Sequence, residues 1–145
     1  MSHTHFLYHI VFATKDRAPL ISDVWESEMY RYLGGIVKNL KGEPIEINGM
    51  PDHIHLLVRL GPTIQFSTFM RELKASSSKW AKRKEPRFSW QRRYGAFTVS
   101  ESASEVVRKY IRGQKRHHSE QTFGDEYVSL LTKHKIEFDD RYVWD

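Results

Sequence analysis

The sequence predicts an α+β fold, an antiparallel sheet with helices on one face, followed by a further C-terminal helix. Three observations carry that expectation. Four short runs are apolar or alternate with period two, and two long segments between them keep the helical period. The changes of period fall at glycine, proline, serine or aspartate. At 145 residues, 39% hydrophobic and 13% aromatic, the chain is the size of one folded domain rather than a disordered segment.

Residues 5–14 (HFLYHIVFAT) are almost wholly apolar or aromatic and read as a central strand. Lys15 to Pro19 ends it. A helix is expected from about Ser22, a suitable N-cap, with Trp25, Met29, Leu33, Ile36, Val37 and Leu40 forming one buried stripe. Gly34-Gly35 interrupts that helix at a cost of about 1 kcal/mol per glycine, which close packing on the sheet would explain. Residues 44–49 form a short strand, and Gly49-Met50-Pro51-Asp52 turns the chain into the run 53–60. There, period two sends Ile54, Leu56, Val58 and Leu60 to one face, and His53, His55, Leu57 and Arg59 to the other.

A second helix is predicted from about Ile64 to Arg83 on an apolar line of Phe66, Phe69, Leu73 and Trp80, with Ser76 or Ser77 filling the intervening turn. Residues 85–93 read as a loop with Phe88 and Trp90 among arginines, and 94–99 as the last strand. Ser102-Ala103-Ser104-Glu105 has the form of a capping box, opening a helix that runs through Val107, Tyr110, Ile111 and Gln114 to His117-His118. A shorter helix (124–133) and an extended tail (136–145) follow. The order β-α-β-β-α-β is that of the ferredoxin-like split βαβ arrangement.

No apolar run approaches the ~20 residues of a membrane span. The N-terminus lacks the pattern of a secretory signal, and cysteine is absent, which fits a cytoplasmic protein. Metal chemistry would therefore fall to histidine, carboxylate or amide side chains. Residues 71–93 hold nine basic side chains (Arg71, Lys74, Lys79, Lys82, Arg83, Lys84, Arg87, Arg92 and Arg93) against Glu72 and Glu85. A second basic group spans Arg108, Lys109, Arg112, Lys115 and Arg116. Such clustering suits a polyanionic partner, although a well-solvated helix surface has the same composition.

His53 and His55 leave one strand on the same side, with Cβ atoms about 6–7 Å apart by strand geometry, which two imidazoles can bridge to one metal. Two ordinary histidines would show the same pattern. Tyr110 and Gln114, at i and i+4, share a helix face. The amide oxygen could complete a two-histidine site. The phenol could attack phosphorus if Arg112, Lys109 or a metal-bound phosphate lowered the cost of ionising it. A core tyrosine and a surface glutamine would show that spacing too.

Several blocks together resemble one family. Tyr8-His9-Ile10-Val11-Phe12-Ala13-Thr14-Lys15 with Pro19, then Pro51-Asp52-His53-Ile54-His55-Leu56-Leu57-Val58, are similar to the opening and the His-hydrophobic-His signature of the IS200/IS605-type single-tyrosine (HUH) transposases. Leu73-Lys74-Ala75-Ser76-Ser77, Trp90-Gln91, Tyr94-Gly95-Ala96-Phe97 and Tyr110-Ile111-Arg112-Gly113-Gln114 follow in the family's order. The resemblance covers about residues 5–118. The remainder (about 119–145) looks like the C-terminal extension of the branch associated with repetitive extragenic palindromes.

That resemblance implies a single catalytic domain that cleaves and rejoins single-stranded DNA with hairpin ends. Tyr110 would form a 5′-phosphotyrosine link, while His53, His55 and Gln114 would hold Mg²⁺ or Mn²⁺. It implies a homodimer, for which the aromatic, uncharged first strand would offer an edge needing cover. Arg71, Lys74, Lys79, Lys82, Arg83 and Arg92 then become candidate phosphate contacts, with Trp90, Phe88 and Tyr94 as stacking platforms, although Trp90 would serve equally well in the core. His5 and His9 share a strand face and could flank the site, although a structural role is the preferred reading of the pair. The rival reading is a non-catalytic or domesticated protein of the same fold that binds a DNA hairpin.

Overall fold

The computed structural model describes residues 6–117, the last by its backbone alone, and 121–136. Four strands, β1 (Phe6–Ala13), β2 (Glu43–Met50), β3 (His53–Leu60) and β4 (Gly95–Val99), form one sheet in the order β2-β3-β1-β4. Every adjacent pair is antiparallel. Helices α1 (Glu26–Asn39) and α2 (Phe66–Lys82) supply the two crossovers. They are followed by α3 (Ser104–Arg112), α4 (Gln114–His117) and α5 (Phe123–Lys133). This is the ferredoxin-like order that the sequence predicts, and β3 has the predicted bounds.

The strand period sorts the core into two layers. Ile10 and Phe12 of β1, with Ile54, Leu56, Val58 and Leu60 of β3, pack against Met29, Leu33, Ile36 and Val37 of α1 and Phe69, Met70 and Leu73 of α2. The opposite face is covered as well. Leu7 and Leu57 meet Ile111 of α3, while Val11, Ala13 and Phe97 meet Phe123, Tyr127 and Leu131 of α5. The α3 and α4 helices also lie against β2.

Several expectations are corrected. The first strand is central as expected, but it lies between β3 and β4, so it offers no edge for a second copy. The residues from Ser22 to Trp25 form a turn in which Ser22 Oγ accepts from the amide of Val24 (3.1 Å), and the helix starts only at Glu26. A Cβ on Gly34 would meet side chains no nearer than 3.8 Å, and one on Gly35 would meet nothing within 4 Å, so close packing does not explain that pair. The expected capping box does not form. Ser102 lies in a single 3-10 turn (Glu101–Ala103), and its hydroxyl pairs with that of Ser100 at 3.1 Å.

The helix expected to run unbroken to residue 118 is interrupted at Gly113. The amide of Gly113 bonds to the carbonyls of Lys109 (3.0 Å) and Tyr110 (3.2 Å), and α4 begins afresh at Gln114. Glycine is a poor helix former, and a break here is inexpensive.

Phe88 and Trp90 are core residues, not exposed platforms. The backbone of this segment runs beside the end of β1 through Lys15 N–Ser89 O (2.8 Å) and Gln91 N–Ala13 O (2.7 Å). Trp90 meets Phe12 and Phe88 edge-on, with ring centres 4.5 and 4.7 Å away, and its indole N–H donates to Ser77 Oγ at 2.9 Å. Ser77 is thus the buried residue that fills the turn of α2, donating in its own right to Leu73 O. Among the described residues no helix is long and apolar enough to cross a membrane. The expected tail from 137 onward, with His5 and His118, lies outside the described residues.

Candidate active site

Period two places His53 and His55 on the α3–α5 side of β3, and both are fully buried. Each imidazole is held from behind. His53 Nδ1–H donates to Asp52 Oδ1 at 2.7 Å, a carboxylate supplied by the two-residue turn between β2 and β3. His55 Nδ1 lies 2.8 Å from Nε2 of His9 on the neighbouring strand, where the register sets Val11 opposite His55. The two remaining nitrogens, both Nε2, point into the space beneath α4 and α5.

Gln114 and Glu126 meet them there. Gln114 Oε1 is 3.0 Å from His53 Nε2. Glu126 Oε1 is 2.9 Å from His55 Nε2 and 3.5 Å from His53 Nε2. The other Glu126 oxygen accepts from Gln114 Nε2 at 2.8 Å and from the hydroxyl of Tyr110 in a short hydrogen bond. Gln114 and Glu126 are buried, Tyr110 half-buried. The break at Gly113 does not separate Tyr110 from Gln114; both reach the same carboxylate.

Glu126 arrives through the packing of α5. Thr122 caps this helix, its hydroxyl accepting from the amide of Asp125 at 3.2 Å. Phe123 stacks on the His53 ring with centres 4.2 Å apart, and Tyr127 passes so close to β4 that a Cβ on Gly95 would lie 3.0 Å from its ring. Glycine leaves room at that crossing, where a Cβ would press on the Tyr127 and Phe97 rings. Nothing in the sequence reading singled out Glu126. A signal did exist, since with Phe123, Tyr127, Leu130 and Leu131 it falls inside an apolar stripe, where an acid is out of place.

Burial sets the proton equilibria. It holds His9 well below the ordinary imidazole range, aided by the positive charge that His55 can carry. For His53 burial acts the same way, but hydrogen bonds to Asp52 and Glu126 outweigh it and raise the pKa. Tyr110 is pushed up, first by burial and then by Glu126. This reverses the expectation that Arg112 or Lys109 would ease its ionisation. Arg112 is drawn instead to Glu46 (3.0 Å), as is Arg108 (3.0 Å), and both fasten α3 to β2. Lys115 similarly ties α4 to Gly49 O and to Glu26.

The other expected contacts are dispersed. Arg71, Lys79, Lys82, Arg83 and Arg92 are exposed on or beside α2, across the sheet from the histidines. Lys74 is half-buried and donates to the carbonyls of Gln91 (2.6 Å) and Arg92 (3.1 Å), with its pKa brought down by burial to about 8. Beside Tyr110 a groove of about 550 Å³ opens between α3, α5 and the end of β4, lined in part by His9, Thr98, Val107, Glu126 and His134.

Fold and site together define a small α+β protein that gathers two strand histidines, an amide, a carboxylate and a tyrosine at one buried point. The family model described as "Transposase IS200 like" matches residues 2–114, and the chain belongs to that family. It is 28% identical over 115 residues to the ISDra2 transposase TnpA of Deinococcus radiodurans, a match spanning 74% of this chain and 82% of that protein. A transposase for insertion sequence element IS200 from Salmonella typhimurium is 34% identical over 84 residues, 54% of this chain and 53% of the relative.

Among solved structures, a candidate transposase from Deinococcus radiodurans superposes with a TM-score of 0.65 at 26% identity, covering 78% of this chain and 93% of that one. A REP-associated tyrosine transposase bound to a REP hairpin gives a TM-score of 0.61 over 78% of this chain and 68% of that one. At 17% identity, that likeness bears on the fold alone. The protein is thus an IS200-like transposase, and Glu126 lies beyond the residues that the family model matches.

Proposed function

We propose that this transposase cleaves and rejoins single-stranded DNA at hairpin-bearing ends, with Tyr110 as nucleophile and a divalent cation, Mg²⁺ or Mn²⁺, held by His53, His55 and Gln114. The observation that carries this reading is the arrangement of the two imidazoles. Both have Nδ1 engaged from behind by Asp52 or His9, and both turn Nε2 toward Glu126 Oε1, with Gln114 Oε1 set against Nε2 of His53. Orienting partners of this kind are what metal-bound histidines require.

The donor set fits such an ion. Hard oxygen and imidazole donors suit first-row divalent cations and magnesium, and the protons now on Nε2 would leave as a cation takes their place. His55 must then carry its proton on Nδ1 and donate it to His9, which burial keeps neutral and able to accept. When bound, the cation supplies Lewis-acid polarisation of the scissile phosphate and stabilises charge on the leaving oxygen.

The chain's own groups do the rest. The phenolic proton of Tyr110 passes to Glu126, already its hydrogen-bond acceptor. The tyrosine oxygen bonds to phosphorus as the P–O3′ bond breaks, and the 3′ oxygen takes up a proton from solvent. The product is a 5′-phosphotyrosine link and a free 3′-hydroxyl. The link conserves the phosphodiester energy, so a second 3′-hydroxyl can reverse the step and join new ends. Exposed Arg71, Lys79, Lys82, Arg83 and Arg92 would hold hairpin phosphates. A homodimer is part of this proposal, with an outer strand, β2 or β4, rather than β1 as the edge that could pair, and light scattering would test it.

The decisive experiment incubates the protein with labelled single-stranded DNA from its own gene flanks in Mn²⁺ or Mg²⁺. A protein–DNA band that survives a denaturing gel, needs the metal and disappears in Tyr110→Phe is the expected result. No such band across all the flanking oligonucleotides would defeat the proposal.

A further inference from the structure

We infer that Glu126 of α5 is a fourth protein ligand of this cation, binding through Oε1 while Oε2 fixes Tyr110 beside the metal. The inference rests on the metal-site reading above and adds a charged ligand from outside the family-matched residues. Its first support is spacing. Ligand atoms bonded at about 2.1 Å to one ion sit about 3.0 Å apart on adjacent octahedral corners and about 3.4 Å apart in a tetrahedron. The observed edges are 2.9 Å (His55 Nε2 to Glu126 Oε1), 3.5 Å (His53 Nε2 to Glu126 Oε1) and 3.0 Å (His53 Nε2 to Gln114 Oε1). The His53, His55 and Glu126 donors all lie within 4.8 Å of one another.

The second support is the cost of the location. A carboxylate only 1% exposed is tolerated when it is paired or ligates a metal. The sequence of α5 places it there at an apolar-stripe position, and the fold secures that helix with the Phe123–His53 stack and the crossing of Tyr127 over Gly95. The third is division of labour between the two oxygens. Oε1 faces both imidazoles, and Oε2 takes the N–H of Gln114 and the hydroxyl of Tyr110. Gln114 thereby offers its oxygen to the site while its nitrogen orients the acid. The negative charge makes the site a stronger cation binder than two neutral imidazoles and an amide.

Calorimetric titration of the full chain with Mn²⁺, read alongside the electron paramagnetic resonance signal of free Mn²⁺, tests this without DNA. Wild type should bind one ion, Glu126→Gln should bind about 10- to 100-fold more weakly, and Glu126→Asp should fall between them. Thermal melts in chelator should show both variants folded. His53→Ala serves as the reference for loss of the site. If His53→Ala abolishes binding and Glu126→Gln leaves it unchanged or tighter, the fourth ligand is overturned and the proposed activity stands. If wild type binds no ion, both readings fall.

Discussion

The two faces of the sheet use the same strands for opposite purposes. Toward α1 and α2, β3 turns Ile54, Leu56 and Val58 into an apolar layer; toward α4 and α5 it turns His53 and His55, equally inaccessible to solvent, onto Gln114 and Glu126. On the first side, exclusion of water is the stabilising term itself. On the second it costs stability, because polar groups lose hydration and must be fully paired, and that low-dielectric setting strengthens every charge interaction at the site. Burial is thus the common means, and the chemistry of alternate residues decides whether it yields cohesion or reactivity.

Substitutions on the two faces should therefore separate stability from activity. Phe69→Ala, at the centre of the apolar layer, should lower the unfolding free energy by about 3–5 kcal/mol in urea titration. His55→Ala should cost less in the same titration yet reduce covalent adduct formation on the order of 100-fold. Equal stability losses would erase the distinction. Asp52→Ala, which frees only the back of His53, should weaken Mn²⁺ binding by about tenfold, with a melting temperature near that of wild type in chelator.

The smallest effect concerns Lys74, a cation at the edge of the apolar side. Its pKa is near 8 in the folded chain, against 10.5 as the ordinary value. Between these values the unfolded chain binds the extra proton, so stability contributed at this site must rise with pH through that window. Thermal melts from pH 7 to 10.5 should show wild type gaining on Lys74→Met as the pH increases; a constant difference would refute the assignment.

The fold was legible because periodicity is local: alternation in the run from His53 to Leu60 marks strand, faces and bounds at once. The same alternation exposed the histidine pair but could not show that Nδ1 of each had a partner, because His9 reaches His55 only through β1–β3 pairing. Tyr110 and Gln114 became informative through family resemblance. Their helical spacing alone was misleading in detail, since the helix breaks between them at Gly113. Glu126 was missed because its position depends on where α5 docks, a long-range packing decision. Trp90 was misassigned for the converse reason: arginine neighbours suggested a surface, while the residue itself pairs with Thr14 and fills the core.

The Pro51–Asp52 turn has a consequence for heredity. It is only two residues long, and it sets which side of β3 each side chain takes. A single codon gained or lost there, if it slipped β3 by one residue, would send His53 and His55 into the apolar layer and Ile54 and Leu56 toward Glu126. Substitutions can drift along β3 one at a time, but the spacing cannot. Among relatives that keep this site, the length of this turn should not vary.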